Sequence, residues 1–196
     1  SLTLSQRAPK PQLPWVATVA NAIDVSRYPL RTSAGDSLLF LGRMSPEKGA
    51  HRAIRVARRV RRPLRIAAKC REPAEIEYFE RFVEPHLGSD IEYVGEVGHD
   101  EKCRLLGEAY ALLVPIEWQE PFGLVMIEAL ACGTPVIALR RGSVPEVLRH
   151  GETAFVADDL AGMVAGIDLV ARLDPVELRK DVERRFSVKR MVDGYL

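Results

Sequence analysis

The run Glu120-Pro-Phe-Gly-Leu-Val-Met-Ile-Glu128-Ala-Leu-Ala-Cys-Gly-Thr-Pro-Val-Ile-Ala138 places a loop, a helix, a stop and a strand in direct succession. Pro121 and Gly123 suit a loop that turns into a helix, and Val125 to Ala131 continue it until Gly133 ends it and Pro135 opens a buried strand. At a rise of ~1.5 Å per residue, the Glu120 and Glu128 backbones lie roughly 12 Å apart along such a helix. The free N–H groups and dipole at its N-terminus favour anions, and each carboxylate accepts hydrogen bonds from hydroxyls. A nucleotide sugar suits that layout, with its diphosphate at the helix start and the hexose and ribose toward opposite glutamates. For the spacing taken alone, two surface glutamates on an amphipathic helix are the competing reading.

A second segment points to the same end of a sheet. Ser37-Leu-Leu-Phe-Leu-Gly42 reads as a buried strand, and Arg43-Met-Ser-Pro-Glu-Lys48-Gly49 as the loop and helix start after it. Ser45 is expected as the N-cap and Pro46 as the first helical residue. Gly42 leaves room for a ligand against the backbone, while Arg43 and Lys48 put two cations at the carboxyl end of a strand, where open α/β sheets bind ligands. They suit the neutralisation of charge on a leaving diphosphate. The plainer alternative is a solvated Arg and Lys beside a capped helix.

Outward from these segments, strands are expected near Leu38 to Leu41, Leu64 to Ala68, Ile91 to Val94, Ala111 to Pro115, Pro135 to Ala138 and Ala154 to Val156, with helices between them. Such alternation favours an α/β fold: a Rossmann-like, doubly wound parallel sheet with helices on both faces. Ser143-Val-Pro-Glu146 and Asp174-Pro-Val-Glu177 read as capped helix starts. Arg52, Arg55, Arg59 and Arg62 recur at helical spacing opposite Ala53, Val56, Ala57 and Val60, which reads as a solvated helix face. With no aromatic residues interleaved, these arginines do not suggest a nucleic-acid surface.

Composition narrows the class. The chain has 196 residues, 47% hydrophobic and 28% charged, with a formal net charge of +1. That is about the size of one domain, with no global field pointing to nucleic acid or membrane. No apolar run approaches a membrane span, and the start lacks signal-peptide regions. Cys70, Cys103 and Cys132 form no C-x2-C pair, and His51, His86, His99 and His150 are scattered, so neither a disulfide framework nor a metal site is expected. A reduced, cytoplasmic setting is the simplest expectation.

With Pro-Phe-Gly-Leu and Glu-Ala-Leu-Ala-Cys-Gly-Thr-Pro-Val in register around its glutamates, the 120–138 segment resembles the E-x7-E motif of the retaining GT-B-fold glycosyltransferases of family 4, also called glycosyl transferases group 1. Gly42-Arg43 to Lys48-Gly49 resembles the family's G-R-x4-K-G segment. The resemblance implies that Glu120 holds donor-sugar hydroxyls, Glu128 the ribose, the amides near Phe122, Gly123 and Leu124 the diphosphate, and Arg43 and Lys48 the leaving-group charge, without a divalent metal. It places the nucleobase near Ala68-Lys69-Cys70 and Gly95-Glu-Val97. There Lys69 reaches the base or a phosphate, or simply faces solvent, and Val97 offers backbone groups. Trp118 and Gln119 shape the sugar pocket, or the tryptophan merely packs. The donor is a UDP- or GDP-sugar.

Thr18-Val-Ala-Asn-Ala-Ile-Asp24 resembles the V-x-N-G-I-D strand and turn that opens the family's C-terminal domain, with Ala22 where glycine is usual. If that position needs positive φ, the alanine strains or reshapes the turn. The resemblance divides the chain into a linker over 1–17, a nucleotide-sugar-binding domain over 18–186 and the start of a crossover helix over 187–196. It implies an N-terminal acceptor-binding domain elsewhere in a parent chain, through which peripheral membrane association stays open, and an isolated domain inactive in transfer. A GT-B sugar-nucleotide epimerase and a non-catalytic nucleotide-binding module are the alternatives, the second drawing on Ala22 and on Ala68-Lys69-Cys70.

Overall fold

A computed structural model of the protein describes residues 1–33 and 35–196. In chain order the elements are α1 (Leu4–Arg7), β1 (Leu38–Arg43), α2 (Ala50–Val60), β2 (Leu64–Lys69), α3 (Pro73–Phe82), β3 (Ile91–Gly95), α4 (His99–Glu108) and β4 (Ala111–Val114). After these come α5 (Leu124–Ala131), β5 (Val136–Leu139), α6 (Val144–Val147), β6 (Ala154–Ala157), α7 (Leu160–Val170), α8 (Pro175–Arg185) and α9 (Val188–Asp193). All neighbouring strands run parallel, in the order β3-β2-β1-β4-β5-β6.

Period-2 alternation divides the core between two faces. Leu39, Leu112, Val114, Val136 and Ala138 pack with Leu106 of α4, Met126, Ile127 and Leu130 of α5, and Leu178 and Val182 of α8. Their neighbours Leu38, Phe40, Leu113, Ile137 and Leu139 point the other way, onto Ala53, Ile54, Val56 and Ala57 of α2 and Met163, Ile167 and Val170 of α7. Because both faces are covered, β4 and β5 are buried throughout and read as unbroken apolar runs.

Local punctuation mostly follows the sequence. Asp174 caps α8 by accepting from the Val176 N–H at 2.9 Å. Ser143 does precede α6, but its hydroxyl makes no cap bond. Ser45 is not an N-cap: residues 46–49 form a turn, Gly49 at φ 83° precedes α2, and the helix starts at Ala50. Pro46 therefore belongs to the turn, whose backbone the Gly49 N–H closes onto the Ser45 carbonyl at 3.1 Å. Residues 18–22 form no strand; Ile23 makes an isolated bridge to Ser187, and Asp24 caps a short 3-10 turn, Val25–Arg27. Among the described residues Arg61 is the one non-glycine residue at positive φ, so the turn accommodates Ala22 without left-handed strain.

The ends of the chain pack on the domain. The Leu4 and Ser5 N–H groups donate to the Glu146 carboxylate at 2.6 and 2.7 Å, and the Thr3 hydroxyl donates to the Pro121 carbonyl at 2.9 Å. α9 is capped by the Ser187 hydroxyl.

Candidate functional site

The chain winds outward from β1 through β2 to β3 and then crosses back to place β4 on the other side of β1, so the winding direction reverses between β1 and β4 and opens a crevice at the carboxyl ends of those two strands. A cavity of about 410 Å³ occupies that position. Its lining includes Gly42 and Arg43 from the end of β1, Lys48 from the following turn, and Glu120, Phe122, Gly123 and Leu124 from the approach to α5. A larger cavity, about 620 Å³, lies between residues 2–4, residues 18–22 and the C-terminal elements, and of the expected site residues only Phe122 borders it.

The smaller cavity has the shape the local sequence dictates. A methyl group placed on Gly42 would meet only the Phe40 ring, at 3.6 Å, so the strand backbone there is open to a ligand. Gly123 sits at φ 77° immediately before α5, and a methyl group on it would lie 2.6 Å from the end of Met126 and 3.3 Å from Cγ of Glu120. Glycine thus satisfies both the left-handed backbone and the close approach of the glutamate. The first amides of α5 have no acceptor within the helix, and Gly123, Leu124 and Val125 border the cavity.

Glu120 is 8% exposed and ionically paired. Its Oε2 accepts from Lys48 Nζ at 2.6 Å and from Trp118 Nε1 at 3.0 Å, while the Lys48 ammonium lies 4.7 Å from the centre of the indole ring. Trp118 therefore touches both ionic residues. The Glu120 carbonyl accepts from the Ser143 N–H at 2.9 Å, and the Gly142 N–H donates to Gln119 Oε1 at 3.1 Å. Gly142, at φ 53°, lies so close to the Gln119–Glu120 backbone that a side chain there would overlap it.

Arg52 corrects the expectation of a solvated arginine face. It is 4% exposed, and its Nε donates to the Pro115 carbonyl at 2.7 Å. Its Nη2 donates to Pro46 and Glu47 carbonyls at 2.9 and 3.2 Å, and Nη1 pairs with Glu117 at 2.8 Å. One guanidinium fastens the turn that carries Lys48 to the segment leading to Glu120. The helical period cannot reveal this, because the acceptors are main-chain carbonyls from other parts of the chain. Arg55 and Arg59 are exposed, as expected, and Arg62 lies over the Tyr110 ring at 3.6 Å. On the outer side of α2, His51 Nδ1 and the Tyr78 hydroxyl are 2.5 Å apart. Burial, and then Arg52 and Arg55, hold the His51 pKa below its ordinary value.

Glu128, also 8% exposed, lies beyond the cavity lining. Its Oε1 accepts from the Tyr28 hydroxyl at 2.8 Å and from Lys102 Nζ at 2.6 Å. Sequence reasoning missed Tyr28, Lys102 and Arg52, and no local signal marks them. Lys69 and Val97 are not brought into the cavity either. Lys69 stands beside Arg43 in the sheet register, with its ammonium 3.3 Å from Glu72 and 3.7 Å from Glu75. Val97 follows β3 and packs against the core. Among the described residues no three His, Cys, Asp or Glu side chains are grouped to hold a metal ion, and no helix is long and apolar enough to cross a membrane.

Solved structures share this architecture. AviGT4, a glycosyltransferase involved in avilamycin A biosynthesis, matches with a TM-score of 0.81 at 29% identity, covering 99% of this chain and 60% of its own. Anabaena HepE, solved with UDP and glucose, shares the fold at TM-score 0.80 and 18% identity, over 91% of this chain and 55% of its own. The sheet and its flanking helices define a Rossmann-like α/β domain of the GT-B glycosyltransferase kind.

Residues 31–185 match the family described as glycosyl transferases group 1, and the chain belongs to that family. The glycogen synthase of Mycobacterium tuberculosis is 32% identical over 167 residues, which are 80% of this chain and 40% of that one. The N-acetyl-alpha-D-glucosaminyl L-malate synthase of Bacillus anthracis is 35% identical over 120 residues, 56% of this chain and 30% of its own. The chain spans less than half the length of these curated relatives.

Proposed function

We propose that this chain is the donor-binding unit of a retaining family 4 glycosyltransferase that takes a UDP- or GDP-sugar. The observation that carries the reading is the convergence of Gly42, Arg43, Lys48, Glu120 and the start of α5 on one cavity at the switch point of the sheet. Two cations and a helix N-terminus suit a diphosphate. A buried carboxylate beside them suits the hydroxyls of a hexose, and Glu128, further along the same helix, suits those of the ribose.

In the transfer we envisage, the bond between the anomeric carbon and the diphosphate oxygen breaks while a bond to the acceptor oxygen forms on the same face of the sugar. The acceptor proton passes to the departing diphosphate, whose charge Arg43, Lys48 and the α5 amides stabilise. Those groups take the neutralising role, so the proposal includes no divalent metal. Glu120 orients the sugar. The acceptor belongs to a second domain of a longer parent chain, and without it this chain binds donor but transfers nothing. The three cysteines, all unpaired as thiols, suit a cytoplasmic setting.

Titration calorimetry of the chain with UDP and GDP tests the first half of this reading. Binding of at least one is expected, and a folded chain that binds neither would count against the site. Incubating a two-domain parent with radiolabelled nucleotide sugars tests the second half: glycosylated product supports transfer, isomerised sugar indicates an epimerase, and unchanged ligand a binding module.

A further inference from the structure

The two buried glutamates are held in the same way. Glu120 Oε2 accepts from a lysine and an indole N–H, while Glu128 Oε1 accepts from a lysine and a phenol O–H. In each carboxylate one oxygen takes both bonds, and the other has no hydrogen-bond partner among the described residues. Nor are those second oxygens sealed from solvent. Among the described residues the fully buried side-chain polar atoms that lack a partner are Ser45 Oγ and Ser143 Oγ, and neither glutamate contributes one. Each second oxygen is therefore an acceptor on a fixed carboxylate that the protein leaves unused and that solvent or a ligand can reach.

We infer that Tyr28 and Lys102 are positioning residues that pin Glu128 through Oε1, so that Oε2 is presented to a ribose hydroxyl and the site discriminates between ribonucleotides and nucleotides lacking those hydroxyls. This rests on the reading of Glu128 as the ribose-side residue. The device is built from three separate elements. Lys102 projects from α4, Glu128 from α5, and Tyr28 follows the 3-10 turn Val25–Arg27. Arg179 of α8 locks the turn to the helix, since its guanidinium donates to the Val25 and Tyr28 carbonyls and to the Ala131 carbonyl at the end of α5. Tyr28 is buried, its ring meets His99 edge-on at 5.2 Å, and Lys102 lies 5.8 Å from its centre. Burial and the adjacent Glu128 raise the pKa of the phenol, which keeps it a donor. With the ammonium neutralising the carboxylate and two donors fixing its rotation, Oε2 meets the ligand without reorganisation.

The test is the ratio of affinities for UDP and 2′,3′-dideoxy-UDP, and for GDP and 2′,3′-dideoxy-GDP, by titration calorimetry. For the wild-type chain, loss of a hydrogen bond to a charged acceptor corresponds to a ratio of about 10 to 100 for whichever base binds. Tyr28→Phe and Lys102→Met are expected to lower that ratio several-fold while leaving dideoxynucleotide affinity within about twofold. Lys102→Arg, which keeps the charge and is the variant to use if Lys102→Met does not fold, should retain more of the ratio than Tyr28→Phe. Variants that keep the wild-type ratio would overturn the inference, as would an equal loss for both ligands, which would place the residues' effect on the diphosphate or the fold. A wild-type chain that binds UDP or GDP without discriminating against the dideoxy form would instead remove the ribose reading beneath it.

Discussion

Lys48 Nζ and Glu120 Oε2, both of residues that line the cavity, meet at 2.6 Å although 72 residues separate them in the chain. The pair links the two motifs of the site directly: the cation assigned to the diphosphate and the carboxylate assigned to the sugar neutralise each other. A donor that engages both must share or replace this bond. Lys48 and Arg43 should therefore differ, because Arg43 is exposed and has no carboxylate within ion-pair distance among the described residues.

Arg43→Ala and Lys48→Ala are expected to weaken UDP or GDP binding by about 10- to 100-fold, the equivalent of about 1.5 to 3 kcal/mol for a charge-assisted bond, while affinity for the bare nucleoside changes little. Lys48→Ala should in addition lower the melting temperature, because it leaves Glu120 with Trp118 as its remaining donor. Calorimetry with nucleoside and diphosphate in parallel makes the comparison. Equal losses for both ligands would assign the residues to folding.

The glutamates should separate by assay. Glu128→Gln is expected to impair binding of UDP or GDP itself, since a neutral amide is a poorer acceptor for ribose hydroxyls. Glu120→Gln should leave nucleotide affinity nearly intact and lower turnover of the full donor in a two-domain parent. The reverse pattern in the same two measurements would turn the ligand around in the site.

Arg52→Met is expected to destabilise the chain by about 1 to 3 kcal/mol, since its ionic partner Glu117 is exposed and only carbonyl groups lose a donor. The change leaves the Pro115 carbonyl without its donor in a buried place and removes the guanidinium from the part-buried Pro46 carbonyl, while the Glu47 carbonyl keeps the Glu117 N–H at 3.0 Å. Denaturant unfolding measures the loss. Because Arg52 binds both site-bearing segments, a folded Arg52→Met chain should also show weaker diphosphate binding, and unchanged affinity would mean that the segments hold their positions without it.

His51 ties stability to pH. Its folded-state pKa lies below the ordinary value of about 6.5 that it takes when unfolded. The unfolded chain therefore binds a proton before the folded one does. The stabilisation is complete above about pH 6.5 and is lost as the pH falls below that value toward the folded-state pKa. Melting curves of the wild type and His51→Gln should accordingly converge between pH 7.5 and 5.5, with the wild type losing more. A constant difference across that range would show that His51 does not titrate with folding.

Most of the fold was legible in local sequence, because strand alternation, helix periodicity and glycine punctuation are written by neighbouring residues. The stretches Leu38–Arg43, Leu64–Lys69 and Leu124–Ala131 are structured almost where those patterns end, and the motif spacing brought Gly42, Arg43, Lys48, Glu120, Phe122, Gly123 and Leu124 to one cavity. The start of α2 was not legible: Ser45-Pro46 has the chemistry of a cap, but the chain makes a turn first and begins the helix after Gly49. The partners of Glu128 were not legible either. Tyr28 precedes it by 100 residues and Lys102 by 26, and Arg52 reaches a carbonyl 63 residues away. Those contacts exist because parallel crossovers return distant segments to the same end of the sheet. Sequence determined which side chains and helix ends are available; tertiary packing determined which buried charges face one another, since desolvation makes pairing obligatory once the fold has brought them together.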